Sequence, residues 1–470
     1  MDRLKKIGMV KAKNSAEIKN SKFGLGFEKL DRNVFDPEKA YDKVAATGVK
    51  WIRLQSGWAR TEKEKGVYDF SWLDDIVDNL LKRGLIPWMC LCYGNGLYDE
   101  AAAKVYGAVG CPPIHNNEQK MAWKNYVYAV VEHFKGRITY YEIWNEPDGR
   151  WCWKHGVNPE EMASLTLITA ESIRKADSDA KIIGGVVCLR DLQYINTAFD
   201  FGIANVIDAV SFHEYTPHDE YITERAESLR ALAHIYNPKL EIIQGESGSQ
   251  SRGDCAGALA GAAWTEKRQA KQLLRHAVMD IISNVKFTSY FSCVDMIEAM
   301  HGTEGDASSI LDYAFFGILK TEFDEKGFAC GEYTPKPAYR SLQTIASMLS
   351  EEYKIVEMPI LFTPDKESLR MLGSEPERKS FITVGIEKPN GSHAFIYWHK
   401  DDLMTTDYEG TISMQTAGLG KEIKLVDMFD GSVYELNENM ITDLGHNCYK
   451  FNNIPTRDYP LALIFGDFLI

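Results

Sequence analysis

The alternation of short apolar runs with helix-like stretches constrains this chain more than any other feature. Eight runs in the first 300 residues have the length and apolar character of buried strands: 23–27, 50–54, 86–93, 138–144, 181–188, 206–212, 240–244 and 288–293. Helix-like stretches lie between them, at 72–83, 117–134, 159–176, 222–236 and 266–282. Strands that alternate with helices build a parallel sheet. Eight such units favour closure into a (β/α)8 TIM barrel, an α/β fold, over an open sheet.

The turn after the first run disfavours a dinucleotide-binding sheet. That fold needs a glycine-rich cradle for phosphate at this point. The chain offers only Gly24 and Gly26, followed by the acidic Glu28. The first run is therefore interpreted as a barrel strand.

The pattern changes after about residue 350. The helical period disappears, and alternating runs at 381–386, 393–398, 421–429 and 461–465 are separated by turns such as Asp430-Gly431. This pattern predicts a C-terminal antiparallel β-sandwich. We therefore divide the chain into a catalytic barrel at 21–349 and an accessory β-sandwich at 350–470. We expect the N-terminal segment 1–20, which has no place in the barrel, to join the sandwich.

Charge and hydropathy limit the partners. The chain has 470 residues, with 53 Lys and Arg against 67 Asp and Glu, for a formal net charge of −14. This surplus of negative charge argues against nucleic acid and anionic membrane as partners.

The sequence has no signal-peptide core and no apolar run of membrane-spanning length. With nine cysteines, several in apolar runs, it predicts a cytoplasmic protein with free thiols. The oligomeric state stays open.

The strongest local signal is the segment YYEIWNEPD at 140–148, where an apolar strand ends in Asn145, Glu146 and Pro147. Because proline interrupts the ladder directly after the glutamate, we expect this carboxylate at the carboxyl edge of the barrel. Neighbouring aromatic residues such as Trp144 would desolvate it, raise its pKa and keep it protonated near neutral pH. The alternative is a surface or helix-capping glutamate.

A second glutamate follows a later strand. In LEIIQGESGSQ at 240–250, Glu246 stands at the end of an apolar run. Its neighbours are small residues, which would let a sugar ring approach the carboxylate closely. Cleavage of a glycosidic bond requires two carboxylates of this kind. One protonates the leaving oxygen, and the other attacks the anomeric carbon to give a covalent intermediate that water hydrolyses. By strand count, Glu146 and Glu246 follow the fourth and seventh strands.

The chain resembles glycoside hydrolase clan A, whose members carry an Asn-Glu acid/base after strand four and a nucleophilic Glu after strand seven. Asn145-Glu146-Pro147 and Glu246 match those positions. The stretches GFEKLDRNVFDP, GVKWIRLQSGWARTEKEKGVYDFSWLD and YGNGLYD are similar to family 39, the β-xylosidase-like branch, which couples its barrel to a C-terminal β-sandwich. The resemblance covers nearly the whole chain. It implies a retaining glycosidase with a carbohydrate substrate, no cofactor and no metal.

Further residues carry over from the resemblance. Arg53 matches the clan's arginine near the nucleophile, where its cation would lower the pKa of Glu246, although a structural ion pair is the alternative. His213 and Tyr215 match a His-x-Tyr pattern after strand six. Tyr215 would hydrogen-bond Glu246, whereas His213 would contact a sugar hydroxyl or serve the structure. Asn145 would donate to the sugar 2-hydroxyl.

Aromatic side chains form the expected sugar-stacking set. Trp151 and Trp153 are favoured because they directly follow Glu146, and the wider set is Tyr93, Trp58, Trp88 and Trp264. Glu28 after the first strand, and Asp295 or Glu298 after the eighth, are expected to bind hydroxyls of the terminal sugar. The clan commonly places a tryptophan at the end of strand eight, where this chain reads SYFSCVD. Xylose specificity therefore does not transfer directly.

The expected cytoplasmic location favours exo action on short oligosaccharides or glycosides, because polymers do not enter the cytoplasm. An endo-acting glycanase or a transglycosidase would use the same carboxylates. A catalytically silent sugar-binding protein is a further alternative, but the presence of both glutamates with Asn145 and Arg53 argues against it. A metal-dependent hydrolase would use His213, His218 and His301, whose spacing is not a recognised metal signature.

Overall fold

In the computed structural model, which describes residues 1, 4–364 and 380–469, eight parallel strands close into a barrel. They are β1 (Gly24–Gly26), β2 (Trp51–Gln55), β3 (Ile86–Leu91), β4 (Tyr140–Ile143), β5 (Lys181–Val187), β6 (Ala209–Glu214), β7 (Glu241–Ser247) and β8 (Thr288–Tyr290). The ring closes where Leu25 of β1 pairs with Tyr290 of β8. The predicted TIM barrel is confirmed.

Helices surround the barrel and connect its strands. They are α1 (Tyr41–Ala45), α2 (Trp58–Thr61), α3 (Ser71–Lys82), α4 (Asn117–Phe134), α5 (Pro159–Ala176), α6 (Leu192–Asp200), α7 (Ile222–Tyr236), α8 (Glu266–Ile282) and α9 (Pro337–Met348). Side-chain caps fix the first residue of several of these helices. The Asn158 side chain accepts hydrogen bonds from the backbone N–H groups of Glu160 and Glu161, directly before a proline in the first turn of α5.

Antiparallel sheets of the C-terminal region form the predicted β-sandwich. One sheet has seven strands, in the order Lys5–Met9, Ser432–Glu435, Ile423–Asp427, Leu461–Phe465, His393–His399, Phe381–Glu387 and Lys354–Val356. The other has four, in the order Ile360–Pro364, Glu409–Ala417, Cys448–Arg457 and Ile441–Gly445. The first strand of the seven-stranded sheet, Lys5–Met9, comes from the chain's N-terminal segment and hydrogen-bonds antiparallel to Ser432–Glu435. Two short hairpins, Met296–Ile297 with Tyr313–Ala314 and Leu319–Phe323 with Ala329–Pro335, follow β8.

Helix α8 joins the barrel to the sandwich through buried charges. Lys271 Nζ lies 2.7 Å from Asp458 Oδ2, and both side chains are almost fully buried. Arg275 donates to the backbone oxygens of Asp458 and Asp401. A buried charge is stable only when it is paired in this way. Within the described residues, no helix has both the length and the apolar character needed to cross a bilayer.

Candidate active site

A cavity of about 620 Å³ opens at the carboxyl ends of the barrel strands. Its floor includes Asn145, Glu146, Tyr215 and Glu246, so the ends of β4, β6 and β7 converge on one space. A larger and more open depression of about 880 Å³ lies at the opposite end of the barrel, beside the first residues of β4, β5 and β7. It contains none of these side chains. Active sites of TIM barrels lie at the carboxyl end, and the candidate site is therefore the 620 Å³ cavity.

The Glu246 carboxylate is held by two donors. Arg53 Nη1 donates to its Oε2 at 2.6 Å, and the Tyr215 hydroxyl donates to its Oε1. Burial and the neighbouring Glu246 charge raise the pKa of Tyr215 well above its ordinary value. The phenol therefore keeps its proton and remains a donor at any physiological pH. These contacts fix both oxygens of Glu246 and leave the carboxylate facing the cavity.

Arg53 is fully buried and is itself anchored from below. Its Nε and Nη2 donate to Glu142 Oε2 at 2.8 and 2.6 Å, and Nη2 also donates to Asn145 Oδ1 at 2.8 Å. Burial opposes the charge on the guanidinium, but Glu142, Glu246 and Glu28 outweigh it and raise the pKa of Arg53. The side-chain oxygen of Asn145 thus accepts from Arg53. Its side-chain nitrogen remains able to donate to a ligand or to Cys152.

Glu142 was missed in the sequence, although it left a signal. It is a charged residue inside the short apolar strand β4, and its side chain is completely buried. Because an isolated carboxylate is very costly to bury, a glutamate in such a strand requires a buried cation. Arg53, the charged residue of β2, is that cation.

Glu146 lies on the opposite side of the floor. Its backbone φ is 44° and that of Trp144 is 66°, both in the left-handed region that non-glycine residues rarely adopt. The Trp151 indole nitrogen donates to Glu146 Oε2 at 2.5 Å, and His213 Nδ1 lies 2.9 Å from Oε1. Burial raises the pKa of the Glu146 carboxyl, and this effect outweighs the lowering by Trp151 and Arg53. A carboxyl of this kind is suited to donate a proton.

His213 lies between the two carboxylates. Its Nδ1 is 2.9 Å from Glu146 and 3.8 Å from Glu246, and the ring is completely buried. Burial lowers the pKa of His213 to about 4, against the opposing effect of Glu246. The imidazole is therefore neutral at neutral pH. It contacts Glu146 beneath the cavity surface and does not line the cavity, which favours the structural role over the contact with a sugar hydroxyl.

Glu28 lines the cavity beside this cluster. Its Oε1 accepts from Arg53 Nη1 at 3.4 Å, and its side chain is almost fully buried. Burial raises the pKa of Glu28 to about 8, with Glu246 adding to the rise and Arg53 opposing it. One cation thus serves three acidic side chains, and its contact with Glu28 is the longest of the three.

The cavity wall next to β1 and β8 is polar. Lys29 Nζ donates to Glu298 Oε2 at 2.9 Å and to the Ile297 backbone oxygen at 3.0 Å. Arg32 donates to Gln55, and Tyr93 lies nearby under the Arg32 guanidinium. Of these side chains, the sequence indicated Tyr93 and Glu298. Lys29 and Arg32 follow β1 and Gln55 ends β2, so their meeting with Glu298 depends on the closed barrel. Phe291 and Phe316 add two rings to the lining.

Several expected positions lie elsewhere. Trp153 is completely buried and donates to Glu161, so it packs below the loop and does not stack on a ligand. The tryptophans at 58, 88 and 264 are likewise buried in the core. Asp295 pairs with Lys336 inside the fold and does not line the cavity. Trp151 does line the cavity, with its indole N–H on Glu146.

The site also contains the group of described residues that is best spaced for a metal ion. Donor atoms of Glu146, His213 and Glu246 all lie within 4.8 Å of one another. The Arg53 cation, 2.6 Å from Glu246, already compensates that carboxylate. A second cation in the same position would meet its repulsion. The arrangement is suited to reactions between two carboxylates across a short gap.

The family comparison defines the class of the protein, which is an O-glycosyl hydrolase. Residues 36–245 match the sequence model of "Glycosyl hydrolases family 39". The chain is thus similar to the family 39 glycoside hydrolases, as the sequence motifs indicated.

Solved structures share the fold over nearly the whole chain. A family 39 glycoside hydrolase from Bacteroides cellulosilyticus WH2 superposes with a TM-score of 0.64 at 17% identity, covering 95% of this chain and 81% of that one. The GH39 enzyme from Xanthomonas axonopodis pv. citri gives 0.61 at 14% identity, covering 97% and 95%. A monomeric beta-xylosidase from Caulobacter crescentus CB15 gives 0.59 at 14% identity, covering 98% and 97%.

Proposed function

We propose that this glycosidase is a retaining exo-β-glycosidase of β-xylosidase-like chemistry, with Glu246 as nucleophile and Glu146 as general acid/base. The observation that carries the proposal is the pair of carboxylates: an oxygen of each lies within 4.8 Å of the other, on the floor of one cavity. Retaining enzymes hold their carboxyl groups about 5–5.5 Å apart, whereas inverting enzymes need about 6.5–9.5 Å to admit a water molecule.

The environments of the two glutamates support different roles. Arg53 and Tyr215 both donate to Glu246, which favours a charged carboxylate aimed at the anomeric carbon. Burial raises the pKa of Glu146 and keeps a proton available for the leaving oxygen. After the leaving group departs, the same carboxylate removes a proton from the water that attacks the glycosyl–Glu246 ester. Water thus regenerates both groups.

The shape of the cavity supports exo action. Lys29, bonded to Ile297 and Glu298, closes the side next to β1 and β8. A wall there accommodates a terminal sugar and blocks a chain that would continue past it. Asparagine and carboxyl groups around this space, Asn145, Glu28, Glu298 and Asp312, offer hydrogen bonds to the hydroxyls of a single ring. The expected substrates are short oligosaccharides or glycosides with one terminal β-linked sugar.

The anomeric configuration of the first-formed product tests this proposal. A panel of aryl β-glycosides, including the β-D-xyloside, identifies the sugar, and proton NMR then follows hydrolysis before mutarotation. We expect the β-anomer first. Glu246→Gln should abolish turnover, whereas Glu304→Gln, an exposed carboxylate outside the cavity, should not. The α-anomer as first product would establish an inverting route, and failure to turn over any member of the panel would favour a silent sugar-binding protein.

A further inference from the structure

The order of strands around the barrel separates the two ends of the cavity. β1 and β8 are neighbours, and β4 and β5 lie on the far side of the ring. The polar wall formed by Glu28, Lys29 and Glu298 follows β1 and β8, whereas Glu146 follows β4. A general acid must stand beside the oxygen that leaves. On the proposed function, the sugar therefore lies toward β1 and β8, and the leaving group projects over the loop that follows β5.

That loop presents an apolar surface. Leu189 lines the catalytic cavity and is 46% exposed, and Leu192 is 50% exposed. An adjoining depression of about 270 Å³ continues from the cavity wall, and Leu189, Arg190 and Arg225 line both. Its other apolar lining residues are Val187, Leu192, Ile195 and Leu229. Two half-exposed leucines next to a catalytic cavity cost free energy in water unless a ligand covers them.

The loop is held in this position by a buried carboxylate. Asp148, two residues after Glu146, accepts the backbone N–H of Cys188 at 3.0 Å and that of Leu189 at 2.7 Å. Its side chain is almost fully buried. The turn that carries Glu146 and the loop that carries Leu189 are therefore one connected unit, and the apolar surface has a fixed distance from the proton donor.

The two arginines that line both the catalytic cavity and the depression, Arg190 and Arg225, are already engaged. Arg225 donates to Glu214 Oε2 and to three backbone oxygens. Arg190 donates to Glu214 Oε1 at 3.0 Å. Asp191 caps helix α6 by accepting from the N–H of Gln193. A second sugar here would find these groups occupied, with Glu224 and Ser228 as the other polar side chains of the depression. An alkyl or aryl group would instead bury the two leucines.

We propose that the surface formed by Leu189 and Leu192 is the leaving-group subsite, and that it selects an apolar aglycone over a second sugar. The assignment rests on the proposed function, because Glu146 as proton donor defines which side the leaving group occupies.

A pair of alkyl glycosides tests the assignment without changing the chemistry of the leaving oxygen. Methyl and n-hexyl β-glycosides, made with the sugar that the enzyme turns over best, differ in apolar length and hardly in the acidity of the alcohol. We expect kcat/KM to be roughly tenfold higher for the hexyl glycoside, the scale at which hydrophobic subsites discriminate between substrates. In the double variant Leu189→Ser/Leu192→Ser, the hexyl-to-methyl ratio should fall toward one. Ile235→Ser, at a residue 78% exposed on α7, should preserve the ratio.

The outcomes distinguish the subsite from the function. A wild-type ratio near one, a ratio that survives the double variant, or faster cleavage of a disaccharide with the same terminal sugar would each overturn the apolar subsite. The anomeric configuration of the released sugar does not depend on the aglycone. A retained product with a ratio near one would therefore reject the subsite alone, whereas absence of turnover with every glycoside would reject both proposals.

Discussion

Arg53 Nη1 donates to Glu246 Oε2 at 2.6 Å, and the same guanidinium donates to Glu142 through two other nitrogens. The position of the Glu246 carboxylate thus depends on a fully buried cation that is itself fixed by a carboxylate outside the cavity. A rigid planar fork of five donors holds both acids in fixed directions, whereas an ammonium is a compact charge with three rotatable donors.

Arg53→Lys should therefore lower kcat by about 10²- to 10³-fold, in line with the loss of a positioned charge at a reaction centre. It should also lower the free energy of unfolding by about 3–5 kcal/mol, because Glu142 would lose its bidentate partner. Steady-state kinetics and urea unfolding measure the two effects. Wild-type kcat in this variant would contradict the role of Arg53 in orienting Glu246.

Glu146→Gln should remove the general acid. We expect kcat/KM to fall about 10²- to 10⁴-fold for alkyl glycosides, and much less for glycosyl fluorides, whose leaving group needs no proton. Because burial raises the pKa of Glu146, the alkaline limb of the wild-type kcat/KM profile should lie above the ordinary carboxyl range, and this limb should disappear in the variant. Equal losses with both leaving groups would show that Glu146 is not the acid.

Glu28→Gln should change how stability depends on pH. The folded-state pKa of Glu28 is raised to about 8 from its ordinary 4.5. The folded protein therefore binds this proton more tightly than the unfolded chain, and stability is lost as pH rises from about 4.5 through about 8. Because glutamine stays neutral, the variant should lose less Tm than the wild type across this window. Parallel Tm curves would indicate that Glu28 is ionised throughout.

Gly245→Ala should disturb the strand that carries Glu246. An added Cβ would lie 2.1 Å from Ser211 Oγ, closer than atoms can approach, and would make tight contacts of 3.0 Å with Glu142 Oε1 and 3.1 Å with His213 Nε2. We expect a loss of about 1–3 kcal/mol in stability and a lower kcat. Ser211→Ala in the same chain removes the closest atom and should restore part of both. Gly8→Ala, with open space around its Cβ, is the control.

Lys271→Met tests the junction between barrel and sandwich. The variant would leave Asp458 buried without its 2.7 Å partner, at a cost of about 3–5 kcal/mol. Lys267→Met is the control, because Lys267 is an exposed lysine of the same helix that pairs with Asp407. This change should cost under about 1 kcal/mol. Urea unfolding of the two variants provides the comparison. Equal effects would mean that the buried pair does not hold the two regions together.

The barrel was predictable because its strands are buried on both faces. Each strand therefore appears in the sequence as a short apolar run. Helices α5, α7 and α8 have the bounds that the sequence predicted, 159–176, 222–236 and 266–282. Boundaries were less accurate where a run continues beyond the ladder. The run at 206–212 begins before β6 because Ile203–Asn205 forms a 3-10 helix that leads into the strand at Ala209.

The site was predictable only where one strand ends in a functional residue. Glu146 and Glu246 lie directly at strand ends, so local sequence was sufficient to select them. Lys29 and Leu189 come from two distant loops that the sequence analysis did not select, and their shared cavity depends on barrel closure. Trp153 shows the reverse error: it is close to Glu146 in sequence, but its ring turns into the core toward Glu161.

Trapping of the glycosyl-enzyme intermediate tests the central claim most directly. A 2-deoxy-2-fluoro β-glycosyl fluoride slows hydrolysis of the ester more than its formation, so the intermediate accumulates. Intact mass and peptide mapping then locate the label. The account predicts one sugar per chain on the Glu246 carboxylate, and none in Glu246→Gln. A label on Glu146 or any other residue, or an unlabelled enzyme that still hydrolyses the parent aryl glycoside, would contradict it.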